Sequence, residues 1–143
     1  MKLMSPAFQA KEMIPRKYTC QGQNINPPLK ISDIPPDAKS LAIIMEDPDS
    51  PGGTFIHWIQ YNIPVIDIIP ENASPGESGL NDFREQRYGG PCPAKGIHRY
   101  FIRLYALDDK LALQAGADRP ALSGRMKGHI LGQAELMGIY RKQ

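Results

Sequence analysis

The chain has 143 residues, of which 17 are basic and 15 acidic, for a formal net charge of +2. No whole-molecule field therefore recruits nucleic acid or an anionic membrane. The length suits a single domain over residues 1–143, and fourteen prolines and thirteen glycines against a hydrophobic fraction of 41% favour a turn-rich, mainly β fold over a helical one.

The N-terminus, Met1-Lys-Leu-Met-Ser-Pro6, lacks the apolar stretch of a signal peptide, and no run approaches transmembrane length. A cytoplasmic location is expected. The two cysteines, Cys20 and Cys92, fit a reducing compartment and are expected to remain thiols, although one bridge is open to them.

A first strand is predicted over 29–34. The next, over 41–47, contains Leu41-Ala-Ile-Ile-Met45, apolar on both sides and so a central, fully buried strand. It runs into Asp47-Pro48-Asp49-Ser50-Pro51-Gly52-Gly53. Prolines there fix φ and remove two backbone donors, giving a rigid loop able to hold Asp47 in place. For Asp49 alone, an ordinary turn role is the better reading.

Over 54–63, period-two alternation assigns Phe55, His57, Ile59, Tyr61 and Ile63 to one face and Ile56, Trp58, Gln60 and Asn62 to the other. A second stiff loop, Tyr88-Gly-Gly-Pro-Cys-Pro-Ala-Lys-Gly96, has glycines that let backbone approach a ligand and prolines that keep the space open. It leads into a strand over 98–108, with His98, Tyr100, Ile102, Leu104 and Ala106 on one face and Arg99, Phe101, Arg103 and Tyr105 on the other. Arg84, Arg87, Lys95, Arg99 and Arg103 fall in one stretch around this loop, and those at a pocket mouth would attract anions. No nucleic-acid motif accompanies them.

A helix is predicted over 119–129, capped by Asp118 with Pro120 in its first turn and Leu122, Met126 and His129 at i, i+4 and i+7. His129 is thereby expected to pack. Gly124 and Gly128 weaken this helix by about 1 kcal/mol each. A last strand covers 131–140, and no internal repeat or linker interrupts the chain.

Two carboxylates and two imidazoles at turn-to-strand junctions look like the walls of one polar pocket. Resident metal is disfavoured, because no histidine pair shares a helical turn. An EF-hand calcium loop is rejected, since the fifth position is Pro51 and the twelfth is Trp58. A Cys92 nucleophile assisted by His98 and Asp47 is weak, for Cys92 lies between two prolines with no helix N-terminus to lower its pKa. The preferred chemistry is non-covalent capture of a small oxyanion such as a phosphoryl group, with the imidazoles, the Tyr100 hydroxyl and the Gly90 N–H as donors. Asp47 suits such a site if it raises the pKa of a neighbouring histidine or accepts the proton of a monoprotonated phosphate. No catalytic residue, metal or cofactor is assigned. The alternative is a small hydrolase or lyase using His57 or His98 as general acid or base beside Asp47.

The Asp47-Pro-Asp-Ser-Pro51 turn, the Gly53-x-x-x-His57-Trp58 strand, and Gly90-Pro-Cys-Pro93 followed by Gly96-Ile-His-Arg-Tyr100, in this order, resemble the phosphatidylethanolamine-binding protein family, also called the Raf kinase inhibitor protein family. The likeness is stronger to its short bacterial and archaeal branch, through Ser5-Pro-Ala-Phe8, Pro15-Arg-Lys-Tyr-Thr-Cys20 with Asn26-Pro-Pro-Leu29, Asn81-Asp-Phe83, and Gly128-His-Ile-Leu131 leading to Gly138-Ile-Tyr140. Each motif is weak singly; the ordered set, spanning nearly the whole chain, is specific.

This resemblance implies an antiparallel β-sandwich with a small number of short helices. It implies an anion pocket lined by Asp47, His57, His98 and Tyr100, with the Gly90–Pro91 backbone beside them and Pro51 shaping the wall. Arg99 would brace the Asp-Pro-Asp turn through Asp49. It brings the segments of both cysteines near the pocket. The partners it implies are a small anionic or phosphorylated ligand, a protein such as a kinase or serine protease, and a second copy in a homodimer. The chain ends at Gln143, soon after the final strand, without the C-terminal extension of eukaryotic members. Their lipid-headgroup selectivity and kinase inhibition are accordingly not carried over. Arg84 and Arg87 stand where many short-branch relatives are expected to have glycine, which makes the rim more basic.

Overall fold

Alternating hydrophobic residues assemble into two antiparallel sheets. A computed structural model describes all 143 residues. Strands β1 (Lys2–Met4), β2 (Leu29–Ser32) and β5 (Ile68–Ile69) form a small sheet in the order β1-β2-β5. Strands β3 (Ser40–Asp47), β4 (Phe55–Ile63), β6 (Glu77–Ser78), β7 (His98–Leu107) and β8 (Ile130–Tyr140) form a larger one in the order β6-β4-β3-β7-β8. Leu3, Leu29, Ile31 and Ile69 of the small sheet pack with Ile43, Met45, Trp58, Ile102 and Leu104 of the large one. On its opposite face the large sheet meets Leu122 and Met126 of the one helix, α1 (Arg119–Met126), together with Leu111. The expected β-sandwich with a short helix is therefore the fold observed.

β3 is buried along its whole length, as its two-sided apolar run predicts. Its alternation is regular: Leu41, Ile43 and Met45 face the small sheet, whereas Ala42 and Ile44 face the helix.

β4 departs from the predicted alternation. Met45 pairs with Trp58 and Glu46 with Ile56, so His57 is an extra, unpaired residue at a β-bulge. A second irregularity lies between the Leu41–Ile63 and Ile43–Gln60 pairs, at Asn62, whose φ is +52°. These irregularities shift the pattern, placing Trp58 and Ile63 in the core between the sheets and Ile56, Ile59 and Tyr61 in the helix-side core.

The helix begins as predicted, with the Asp118 carboxylate accepting the Ala121 N–H at 3.0 Å. It stops at Met126, because Gly128 turns into the left-handed region at φ +85°. His129 consequently lies outside the helix. It is half-exposed and hydrogen-bonded through Nδ1 to Asp108 at 2.8 Å, so it is not the packing residue that the helical spacing suggested.

The cysteines also depart from expectation. Cys20 and Cys92 are joined in a disulfide across 72 residues, with Cα atoms 5.5 Å apart, within the range a disulfide spans. The cysteine usage therefore gives no support to a reducing compartment. No helix is long and apolar enough to cross a membrane.

Candidate functional site

β3 lies between β4 and β7, which brings the C-terminal end of β3, the start of β4 and the start of β7 to one edge of the sandwich. Asp47 is the last residue of β3, and alternation points it to the same side as Met45. His98 and Tyr100 open β7 on that side. The bulge at His57 sets its imidazole 5.3 Å from the Tyr100 ring, edge-on. Asp47, His57, His98 and Tyr100 thus line one cavity of about 180 Å³, with Ser50, Pro51, Phe55, Phe83, Cys92, Pro93 and Ala94 completing the wall. That volume falls below the roughly 300 Å³ at which drug-sized pockets begin, and suits a small group.

The polar atoms are tightly arranged. Asp47 Oδ2 accepts from His98 Nδ1 at 2.7 Å, and its Oδ1 accepts the Asp49 N–H at 2.7 Å. Both side chains of the Asp47–His98 pair are nearly buried. A carboxylate on Nδ1 fixes the imidazole orientation and leaves Nε2 free for a ligand. His57 Nδ1 lies 2.8 Å from the Gly89 carbonyl oxygen. A carbonyl only accepts, so Nδ1 carries the proton and the neutral ring offers a bare Nε2. Burial holds the His57 pKa below the ordinary imidazole value; the Gly89 hydrogen bond and the Asp47 charge oppose the shift without cancelling it. The Asp47 charge does push the His57 pKa up, as expected of a neighbouring carboxylate, but loss of water outweighs it and the net shift is downward.

Tyr100 stands between the imidazoles, stacked at 6.4 Å on His98. Its hydroxyl is the single buried side-chain polar atom in the chain without a hydrogen-bond partner. Burial, followed by the charge of Asp47, raises its pKa far above the usual phenol value, so it remains a neutral donor. A buried hydroxyl without a partner calls for an explanation, and beside a polar pocket it is a candidate donor to water or to a bound group.

Other predicted residues hold the walls. Pro51 lines the cavity. Arg99 points away from His98, as alternation predicts, and grips Asp49 with two side-chain hydrogen bonds at 3.0 and 2.9 Å, while its backbone N–H donates to the same carboxylate. That grip lowers the Asp49 pKa to about 2, the Arg99 hydrogen bonds being the main cause. Gly90 and Pro91 are not among the lining residues. The Gly90 N–H expected to face an anion instead donates to Asn24 Oδ1 at 2.7 Å. A side chain at Gly90 would come within 2.3 Å of the Tyr18 carbonyl oxygen, so only glycine fits there. Arg84 and Arg87 are exposed and absent from the lining.

Sequence reasoning missed Phe55 and Phe83 as pocket residues. Their rings pack edge-on at 4.8 Å, and each also lies against His57, at 5.0 and 5.3 Å. Phe83 is placed by Asn81, whose Oδ1 accepts the Phe83 and Glu85 N–H groups while Nδ2 donates to the His57 and Arg87 carbonyls. The signal was an asparagine opening a short turn.

Comparison with known proteins gives a consistent result. The family model "Phosphatidylethanolamine-binding protein" matches residues 4–141. A UPF0098 protein of Methanothermobacter thermautotrophicus is 44% identical, with 99% of each chain covered. One from Chlamydia trachomatis is 46% identical, again with 99% of each chain covered. The crystal structure of a Chlamydia trachomatis protein, described as a phosphatidylethanolamine-binding protein homologue, has 45% identity and a TM-score of 0.96, covering 99% of this chain and 97% of that one. YbcL of E. coli, at 24% identity, shares the fold with a TM-score of 0.90, over 99% of this chain and 98% of its own.

Proposed function

The chain belongs to the phosphatidylethanolamine-binding protein family, and from that premise we propose that it is a non-catalytic module capturing a small phosphoryl or related oxyanion in the pocket of Asp47, His57, His98 and Tyr100. The observation that carries this reading is the unpartnered Tyr100 hydroxyl between two imidazoles. The hydroxyl donates to one ligand oxygen. Each Nε2 shares a proton with another, supplied either by the imidazole or by a monoprotonated phosphate. Phe55, Phe83, Pro51 and Pro93 exclude water from these bonds.

A protein partner such as a kinase would be engaged through a phosphorylated side chain entering the same cavity; inhibition of a serine protease would use a surface loop instead.

The buried Asp47–His98 pair favours one second reading, a hydrolase or lyase with His98 as general base oriented by Asp47. Titrating inorganic phosphate and phosphorylethanolamine into the protein and into His57→Ala and His98→Ala variants separates the two. Loss of binding with no turnover supports the module, and a substrate-specific rate abolished by either change supports the enzyme. Absence of any anion binding by the unsubstituted protein overturns the capture reading.

A further inference from the structure

Cys92, Pro93 and Ala94 form part of the pocket wall. From Pro93 to Ile97 the chain makes no hydrogen bond; the next fixed point is His98, paired with Tyr140 at the start of β7. The wall segment is therefore suspended between β7 and the disulfide. On the other side of that bridge, Cys20 follows the 3₁₀ turn Arg16–Tyr18, itself held by the Thr19 side chain, which accepts from Gln21 N–H and donates to the Arg16 carbonyl. The two loops otherwise meet through three hydrogen bonds: Cys20 N–H to the Pro91 carbonyl at 3.1 Å, the Tyr88 hydroxyl to the Tyr18 carbonyl at 2.7 Å, and Gly90 N–H to Asn24. Both cysteines are exposed, so a reductant reaches the bond without unfolding the protein.

We propose that the Cys20–Cys92 disulfide is a thiol-controlled latch on the anion pocket, holding the Cys92–Ala94 wall in its binding shape when closed and releasing it when reduced. A small dithiol, or a dithiol protein, opens it in a balanced two-electron exchange. The S–S bond breaks, each cysteine sulfur gains one electron and one proton, and the dithiol leaves as a disulfide. Release affects binding because Tyr100, His57 and His98 line the same cavity as Cys92, Pro93 and Ala94. A wall already fixed in its bound shape spares the ordering cost that a loose one incurs at each binding event. Coupling is reciprocal, so bound anion makes the bridge harder to reduce by the same factor.

The binding half of this proposal rests on the anion-capture reading; the structural half does not. Calorimetry with inorganic phosphate on the oxidised and the dithiol-reduced protein, with free thiols counted, is expected to show affinity about fivefold weaker after reduction and restored on reoxidation. The C20S/C92S variant should bind like the reduced protein and ignore reductant. Equal affinity in both states, with two thiols titrated, overturns the latch. Phosphate binding to neither state removes the capture reading, and amide hydrogen exchange then decides the latch alone. Faster exchange of the Cys20 and Gly90 amides on reduction sustains it, and unchanged protection refutes it.

Discussion

Asp47 and His98, 51 residues apart in sequence, share a 2.7 Å hydrogen bond in the lining of the pocket. On the capture reading, the pair leaves the His98 Nε2 for a bound anion, and His57 adds a second. Each contact to a phosphate oxygen needs one shared proton, and the low pKa of His57 means that the ligand supplies it there. Affinity for inorganic phosphate or phosphorylethanolamine is predicted to fall as pH rises from about 6 to 8, as those protons are lost. Calorimetry across that range that finds constant affinity would reject proton sharing as the basis of binding.

Replacing Tyr100 with phenylalanine removes a hydroxyl that no protein group satisfies. The unliganded protein should therefore keep its stability or gain about 1 kcal/mol, while phosphate affinity drops about tenfold. Paired denaturation and binding measurements test this. A clear loss of stability would mean that the hydroxyl has a structural partner.

Burial lowers the His57 pKa, so the unfolded chain takes up its proton at a higher pH than the folded one. The stability that neutral His57 secures is complete above about 6.5 and is lost as pH falls from there toward the depressed folded value. In urea titrations between pH 7.5 and 5, His57→Gln should flatten this acid-side decline. A decline of equal slope in both proteins would assign the effect to other groups.

Arg99→Ala removes the fork on Asp49 and frees the turn that positions Asp47. Because the pair is largely exposed, folding stability should change little. Phosphate binding should nevertheless weaken about threefold through loss of preorganisation. Unaltered affinity would show that Pro48 and Pro51 fix the turn unaided.

Much of this fold was legible because β3 and β7 obey simple periodicity: the two-sided apolar run of Leu41–Met45 marked the sheet centre, and alternation from His98 separated core residues from Arg99 and Arg103. The small strands β1, β5 and β6 were not legible, because two or three residues carry no period. The bulge at His57 was hidden for a related reason, since alternation presumes an unbroken ladder and the extra residue shows only in the register with β3. For Cys20 and Cys92 the family resemblance brought both segments near the pocket, but nothing local reports that residues 72 positions apart lie within bonding distance. For His129 a usable signal existed in Gly128, a residue suited to ending a helix, and the i+7 spacing carried the reading past it. In the pocket, the charged and aromatic β7 residues were readable from their strand, whereas Phe83 depended on a hydrogen-bonded turn organised by Asn81.

The unpaired residue in β4 also limits how this pocket can be altered by mutation. Deleting one residue between Phe55 and Trp58 would let the ladder close without a gap, preserving the hydrophobic sandwich while turning the imidazole out of the cavity. Relatives or designed variants differing by a single codon there would keep the architecture and retain a histidine in the strand, yet present it away from the cavity.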